Sequence, residues 1–299
     1  MKASLVIRTL NEARYLPAVL EAVAAQRLQG LTVETVIIDS GSTDGTLEIA
    51  AAHGCVLTHI RREEFSFGRS LNRGCEVASG DILVFISGHC VPTDEHWLQR
   101  LCQPLMDGRA QYTYGRQIGG PESRFSECRI FEKYYPMQSR VPQSGFFCNN
   151  ANSAIARAWW ERLKFDEELT GLEDMELGKR LVGQGGEVGY VAEACVYHYH
   201  HETWAQVKRR FEREAIALQK ILPQIHVGRL DTARYIVRSI LHDLSRARTE
   251  GRTLGLLPEI VRYRVAQYTG SFRGNHEHRR LSHADKDHYF YPSDPLERL

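Results

Sequence analysis

The 299-residue sequence is poor in the features that mark secreted, dinucleotide-binding or membrane-spanning chains. Its seven cysteines, Cys55, Cys75, Cys90, Cys102, Cys128, Cys148 and Cys195, are odd in number and scattered, with no Cys-x-x-Cys pair. A disulfide framework and a zinc ribbon are thereby excluded, and free thiols in a reducing cytosol are expected. No stretch of about 18 apolar residues occurs, so no spanning helix is expected. The first apolar run ends at Arg8 and is too short for a signal peptide. Any contact with a membrane should therefore be peripheral. Glycine is missing where a dinucleotide fold needs it, because Thr9-Leu10-Asn11-Glu12 follows the first strand candidate. A G-x-x-x-x-G-K-[ST] loop is also absent. A Rossmann dehydrogenase and a P-loop NTPase are excluded. No internal repeat or low-complexity segment is present.

What is present is an ordinary globular composition, 42% apolar and 25% charged, in a chain long enough to bury a core. The net charge of +1 conceals an asymmetry. Residues 1–204 carry 20 Lys and Arg against 26 Asp and Glu, whereas residues 205–299 carry 18 against 11. A division into an acidic part, 1–204, and a basic, mainly helical extension, 205–299, is expected.

Residues 3–8 read as a strand, and residues 12–27 as a helix with Leu16, Val19, Leu20 and Val23 on one face. Val33 to Ile38 is a second strand, closed by the turn-rich run Asp39-Ser40-Gly41-Ser42-Thr43-Asp44-Gly45. Thr46–Ala52 is the next helix, Cys55–Ile60 a third strand and Ser70–Ala78 a third helix. Ile82 to Ile86 is wholly apolar, as in the middle of a parallel sheet. This alternation predicts an α/β sheet with right-handed crossovers. Residues 110–150 mix short strands with Gly, Pro and aromatics. Further on, Ala158–Leu163 and Met175–Gln184 are helical, Val188–Tyr197 is a strand, and the chain is helical from Thr203. Leu230, Ala233, Val237, Ile240, Leu241 and Leu244 form an apolar stripe beside Arg234, Arg238, Arg246 and Arg248.

Ligands of open α/β sheets bind beyond the carboxyl ends of the strands. Polar clusters fall there: Arg8, Thr9, Asn11 and Glu12 after the first strand, Asp39 to Asp44 after the second, Ser87, Gly88 and His89 after the fourth. Hydroxyls, amides and carboxylates of this kind suit a nucleoside. Asp39 can accept from a ring N–H, and Glu12 from ribose hydroxyls. Asp44 serves equally as a turn or helix cap ahead of Thr46.

Val6-Ile7-Arg8-Thr9-Leu10-Asn11-Glu12 and Ile37-Ile38-Asp39-Ser40-Gly41-Ser42-Thr43-Asp44-Gly45-Thr46 resemble the opening of family 2 glycosyltransferases with the GT-A fold. Phe65 to Gly74 and Gly171-Leu172-Glu173-Asp174-Met175-Glu176-Leu177 match the same family in order and spacing. The likeness covers about residues 3–200. The Phe65–Asn72 form is most similar to a rhamnosyltransferase-type subgroup that builds bacterial surface polysaccharides.

The resemblance implies a Rossmann-like mixed sheet with flanking helices. It also implies inverting transfer from a nucleotide-sugar donor to a glycan or lipid-linked acceptor, with a Mn²⁺ or Mg²⁺ ion. Such chemistry needs a base for the acceptor hydroxyl and a cation for the leaving diphosphate. Asp174 is the implied base. Thr9, Asn11, Glu12, Asp39, Ser42, Arg69, Asn72, Ser87 and Gly88 would face the nucleotide, and Asn150, Asn152 and Glu173 the sugar and acceptor. The remaining arginines before the fourth strand, Arg61, Arg62 and Arg73, read as solvated charge. The family's Asp-x-Asp is replaced by Ser87-Gly88-His89-Cys90, which leaves His89 and the downstream His198 as metal ligands, or a metal-independent site. Imidazole would favour Mn²⁺ over Mg²⁺. The Gln-x-x-Arg-Trp signature of processive synthases is missing, so single-sugar addition is expected.

Two other classes share some of these features. A sugar nucleotidyltransferase would need a Gly-rich basic first loop, which Thr9–Arg14 does not resemble. A catalytically silent glycan-binding subunit is favoured by the missing carboxylate at His89 and opposed by Asp174. The basic extension reads either as a docking surface for anionic lipid at the cytoplasmic face or as a helical cap or self-association surface. No nucleic-acid partner is expected.

Overall fold

The computed structural model describes residues 1–276; the remainder of the basic extension, residues 277–299, lies outside the described residues. The chain divides into two compact units. The first takes Met1–Glu122, Phe131–Glu168 and Glu173–Tyr199; the second takes Ser123–Ile130, Leu169–Leu172 and the chain from His200 onward. The division therefore follows chain order only in part, since two short segments before residue 200 belong with the C-terminal helices.

The first unit is built on an eight-stranded mixed sheet. Its strands are β1 (Lys2–Thr9), β2 (Thr32–Asp39), β3 (Val56–His59), β4 (Ile82–Ser87), β5 (Cys90–Pro92), β6 (Tyr112–Gly119), β7 (Asn152–Ala156) and β8 (Val188–His198). Their order is β3-β2-β1-β4-β7-β6-β8-β5. The first four strands are parallel, β7 runs antiparallel to β4 and β6, and β8 runs parallel to β6. Helices α1 (Leu16–Ala24), α2 (Thr46–Ala52), α3 (Phe67–Val77) and α4 (Trp97–Met106) come from the first half. Next is α5 (Phe125–Tyr134), a helix hidden in sequence among Gly, Pro and aromatic residues, of which residues 125–130 belong to the second unit; α6 (Arg157–Leu163) and α7 (Glu173–Gly183) follow in the first.

Period-two alternation makes the sheet two-faced. Leu5 and Ile7 of β1 with Val84 and Ile86 of β4 pack against Val19 and Leu20 of α1 and Trp97 and Leu101 of α4. Val6, Leu83 and Phe85 pack on the other side, against Leu71 of α3, Trp160 of α6 and Leu177 of α7. The first helix is shorter than residues 12–27. Glu12 C=O instead caps it by accepting from the N–H groups of Tyr15 and Leu16, and Pro17 sits in its first turn. Residues 12–15 are thus loop at the end of β1.

The second unit contains α8 (Trp204–Ile221), α9 (Arg229–Thr249) and α10 (Thr253–Asn275). Thr203 and Gln206 form a capping box at the start of α8. Gly270 and Gly274 lie one helical turn apart on α10, and a Cβ at either would collide with the carbonyls of Lys208 and Glu212 on α8. Buried Arg264 bonds Asp243 at 2.7 and 2.9 Å, and Ser126 Oγ donates to the same carboxylate at 2.7 Å. The apolar stripe of α9 splits. Ile240 and Leu244 pack with Ala247, Ile260 and Phe125, while Leu230, Val237 and Leu241 are 76%, 55% and 61% exposed.

Candidate active site

Three polar clusters meet the carboxyl ends of the strands of the first unit. In the first, Thr9 and Asp39 are register partners at the ends of β1 and β2. Thr9 Oγ1 donates to Asp39 Oδ1 at 3.0 Å, the N–H groups of Gly41 and Ser42 donate to Oδ2 at 2.8 and 2.9 Å, and Ser42 Oγ donates to Oδ1. Asn11 ties the two loops together, accepting from Thr43 N–H and donating its own N–H to Ser42 Oγ, both at 2.9 Å. Asp44 is a turn carboxylate: Thr46 and the Ala13 N–H donate to it. Burial pushes its pKa up, but these hydrogen bonds outweigh burial and hold it below the usual range. Gly41 and Gly45 adopt φ of 107° and 92°, which glycine alone tolerates readily. Beside this brace lies a cavity of about 420 Å³ lined by Asp39, Gly41, His59, Ile60, Arg61 and Arg73. Sequence reasoning placed Arg61 and Arg73 on the solvated surface and passed over His59.

The second cluster joins His89 and His198. Their rings stack with centroids 5.2 Å apart, and their ligand-capable nitrogens lie within 4.8 Å. His89 Nδ1 is 2.8 Å from Glu12 Oε1, and His198 Nδ1 is 2.7 Å from Gln117 Oε1. A carboxylate or amide oxygen only accepts, so each Nδ1 carries the proton and Nε2 is the basic nitrogen. A carboxylate or amide oxygen that accepts from the far nitrogen in this way orients histidine ligands of metals. Gly88 makes room for the arrangement, since a Cβ there would sit 2.9 Å from Glu12 Cγ. Glu12, expected on a ribose, is engaged with His89 instead. Ser87 ends β4 opposite Arg8 of β1.

The third cluster is an acid pair. Glu173 and Asp174 open α7 and are both buried, at 4% and 5% exposure. Asp174 Oδ2 accepts from Asn150 N–H and Oδ1 from Met175 N–H, each at 2.7 Å. Burial and the neighbouring Glu173 push the Asp174 carboxyl up to about 7, against the pull of those two N–H groups and Arg8. A carboxyl tuned to neutral pH can take a proton where an exposed aspartate cannot. Leu172, just before the pair, has φ of 57°, a region that bulky residues rarely adopt.

Not every residue expected at the site can face a ligand. Asn152 is fully buried, accepting from Trp97 Nε1 at 2.9 Å and donating to the carbonyls of Arg116 and Ala194. Its place on β7 turns it into the core, which corrects its assignment to the sugar cleft. Asn72 is likewise saturated. It donates to Phe165 C=O and Glu167 and accepts from Trp160 Nε1 and Phe165 N–H, so it braces the 165–167 loop and has no capacity left for a nucleotide. Arg69 is held by Glu167 and by Glu64 C=O, both at 2.8 Å. Asn150 keeps one resource: Oδ1 accepts from Tyr112 and Ser153, while its buried Nδ2 makes no hydrogen bond. All seven cysteines are free thiols, with Cys75, Cys90, Cys102 and Cys148 buried.

A half-parallel sheet with polar loops at its carboxyl edge and a buried carboxyl of raised pKa beside them is an arrangement suited to an enzyme that binds its ligand at the strand ends. The family model described as glycosyl transferase family 2 matches residues 4–163, and the chain belongs to that family. Among curated relatives, it is 25% identical over 223 residues to the O-antigen chain rhamnosyltransferase RfbN of Salmonella typhimurium, covering 71% of this chain and 70% of that one. It is 25% identical over 199 residues to the O-antigen chain rhamnosyltransferase WbaN of Salmonella anatum, covering 63% of each. Among solved structures, the mannosyltransferase PcManGT from Pyrobaculum calidifontis, in complex with GDP-Man and Mn²⁺, superposes with a TM-score of 0.66 at 16% identity. That match covers 93% of this chain and 88% of the other. Glucosyl-3-phosphoglycerate synthase from Mycobacterium tuberculosis gives 0.55 at 21% identity, covering 76% and 82%. These structural likenesses establish the fold.

Proposed function

We propose that this glycosyltransferase moves a sugar, rhamnose being the first candidate, from a nucleoside-diphosphate donor to a glycan or lipid-linked acceptor in surface polysaccharide synthesis, with inversion. The single observation that carries the chemistry is the buried Asp174, pushed up to about 7 and presented at the start of α7. The choice of sugar rests on the names of the two Salmonella relatives. Asp174 takes the proton from the acceptor hydroxyl as its oxygen attacks the anomeric carbon. The bond from that carbon to the diphosphate breaks on the opposite face.

Thr9, Asn11, Asp39 and Ser42 shape the nucleoside side of the site, with Ser87 and Gly88 beside the diphosphate. The 420 Å³ cavity would take the base. His89 and His198 would hold a divalent cation, Mn²⁺ before Mg²⁺, because their imidazoles are oriented by Glu12 and Gln117 and no carboxylate replaces the usual pair. The ion would neutralise charge on the leaving diphosphate. Glu173 and the Nδ2 of Asn150 are the groups offered to sugar and acceptor. Residues 1–204 form the transferase, and the extension from 205 provides a surface for anionic lipid, placing the enzyme at the cytoplasmic face of a membrane.

The test is release of nucleoside diphosphate from a panel of sugar nucleotides in the presence of an extracted lipid-linked acceptor. A nucleoside-diphosphate rhamnose is predicted to be consumed fastest. Preference for another sugar overturns the rhamnose assignment, and turnover that is independent of acceptor overturns the transfer.

A further inference from the structure

Arg8 ends the apolar face of β1 in an unusual way for a charged side chain. Its guanidinium lies 4.7 Å from the ring centroid of Phe67, and its Nη1 stands 3.4 Å from Glu173 Oε1. Nη1 is buried and makes no hydrogen bond, although the side chain as a whole keeps 24% exposure. A buried guanidinium nitrogen without a hydrogen bond is costly, and one role that would account for it here is to balance charge. Two carboxyl groups, Glu173 and Asp174, are buried next to each other at the start of α7. Like charges at such a separation cannot both be accommodated in a dry pocket without a counter-ion.

We propose that Arg8 is a positioning residue for the proton transfer: it holds Glu173 in place and supplies the positive charge that lets Asp174 act as acceptor of the proton. The proposal rests on the assignment of Asp174 as the base. Among the described residues, charged and titratable groups face Asp174 from several elements. Arg8 comes from β1, Glu173 from its own helix, Tyr112 from β6, and Cys148 from the loop before β7. Burial pushes the phenol of Tyr112 and the thiol of Cys148 well above their ordinary values, so both stay neutral through the working range. Arg8 is therefore the positive side chain in the set. When the acceptor O–H bond breaks, the proton goes to Asp174. The pair then carries one negative charge fewer, and Arg8 remains matched to Glu173.

The experiment is the pH dependence of kcat/KM for the full chain and for Arg8→Gln, Arg8→Lys, Glu173→Gln, Asp174→Asn and the double variant Arg8→Gln/Glu173→Gln. Loss of the positive charge is expected to move the acidic limb of Arg8→Gln to higher pH by about one unit or more, the size of a close opposite-charge effect. Arg8→Lys keeps the charge and should restore most of the shift. Glu173→Gln should move the limb to lower pH, and the double variant should lie above Glu173→Gln. This last comparison keeps the proposal testable if Arg8→Gln alone does not fold. A limb for Arg8→Gln that coincides with wild type, or a double variant that coincides with Glu173→Gln, overturns the role of Arg8 while leaving the base in place. An active Asp174→Asn removes the base assignment itself, and the proposal with it.

Discussion

Asp39 and Asp174 are buried carboxylates at element ends, and the fold surrounds them differently. Asp39 accepts from two loop N–H groups and two hydroxyls, whereas Asp174 accepts two N–H bonds beside a second acid. For Asp174 the consequence is measurable. Its carboxyl is raised from 3.8 to about 7, so the folded chain holds that proton more tightly than the unfolded chain. The resulting stability is fully present below about pH 4 and is lost as pH rises through about 7. Asp174→Asn, which cannot ionise, is predicted to melt above wild type at pH 8, the gap closing toward pH 4. A gap that does not change with pH contradicts the raised carboxyl. The same variant should lose activity by about 10²–10⁴-fold, as expected for removal of a general base.

The polar clusters at Asp39 and Glu173–Asp174 were legible in sequence because strand ends and helix starts announce themselves. Asn72 and Asn152 were misread because an amide gives no sign in sequence of which way it points. Arg8 was counted in the polar cluster after the first strand but given no role, because sequence does not disclose that it stands against Glu173. Asn152→Ala would leave Trp97 Nε1 and two carbonyls unpaired, and denaturant unfolding should show a loss of at least about 1–3 kcal/mol.

Elements of the first unit are tied by polar pins as well as by the core. Glu34, on β2, accepts from Lys2 and Ser4 on β1 and from Ser79 after α3. Burial raises its pKa, yet these donors, the N–H and hydroxyl of Ser79 among them, outweigh burial and hold it at about 2. A depressed carboxylate contributes stability above its unfolded value that is lost as pH falls toward the folded one. Glu34→Gln should therefore flatten the decline of thermal stability between about pH 4.5 and 2, and an unchanged decline would remove the pin. Most strands of this unit were readable to within a residue or two because β1 and β4 alternate or run apolar. The start of α1 was not. Helical spacing extends back to Glu12, but the Glu12 side chain and N–H are needed by His89 and Thr46. Long-range hydrogen bonding overrode local propensity there.

At the scale of the molecule, the charge asymmetry follows the chain, with the acidic excess before residue 205 and the basic excess after it. Within the described residues from 205 to 276, 14 Lys and Arg stand against six Asp and Glu. Exposed Leu230, Val237 and Leu241 share a helix with Arg234, Arg238 and Arg248, also exposed. Apolar side chains among arginines suit the interface of an anionic bilayer. Among the described residues no helix is long and apolar enough to cross a membrane. Sedimentation with vesicles containing anionic lipid should retain the protein at low salt, weakly at high salt, and poorly after Leu230→Ser/Leu241→Ser. Equal recovery on neutral vesicles would contradict the docking surface, and concentration-dependent association without lipid would assign the face to a second copy. Sequence disclosed the excess charge and the stripe. It did not disclose that only Ile240 and Leu244 of the stripe's six residues face inward, nor that Ser123–Ile130 and Leu169–Leu172 join the C-terminal helices, because such partners are far apart in the chain.

The central claim is direct displacement at the anomeric carbon with Asp174 as base. Proton NMR of the product at early times, using a donor of known anomeric configuration, tests it most directly. The account predicts a product of inverted configuration, formed by wild type and not by Asp174→Asn. A product that retains the donor's configuration, or one formed equally fast by Asp174→Asn, would contradict it.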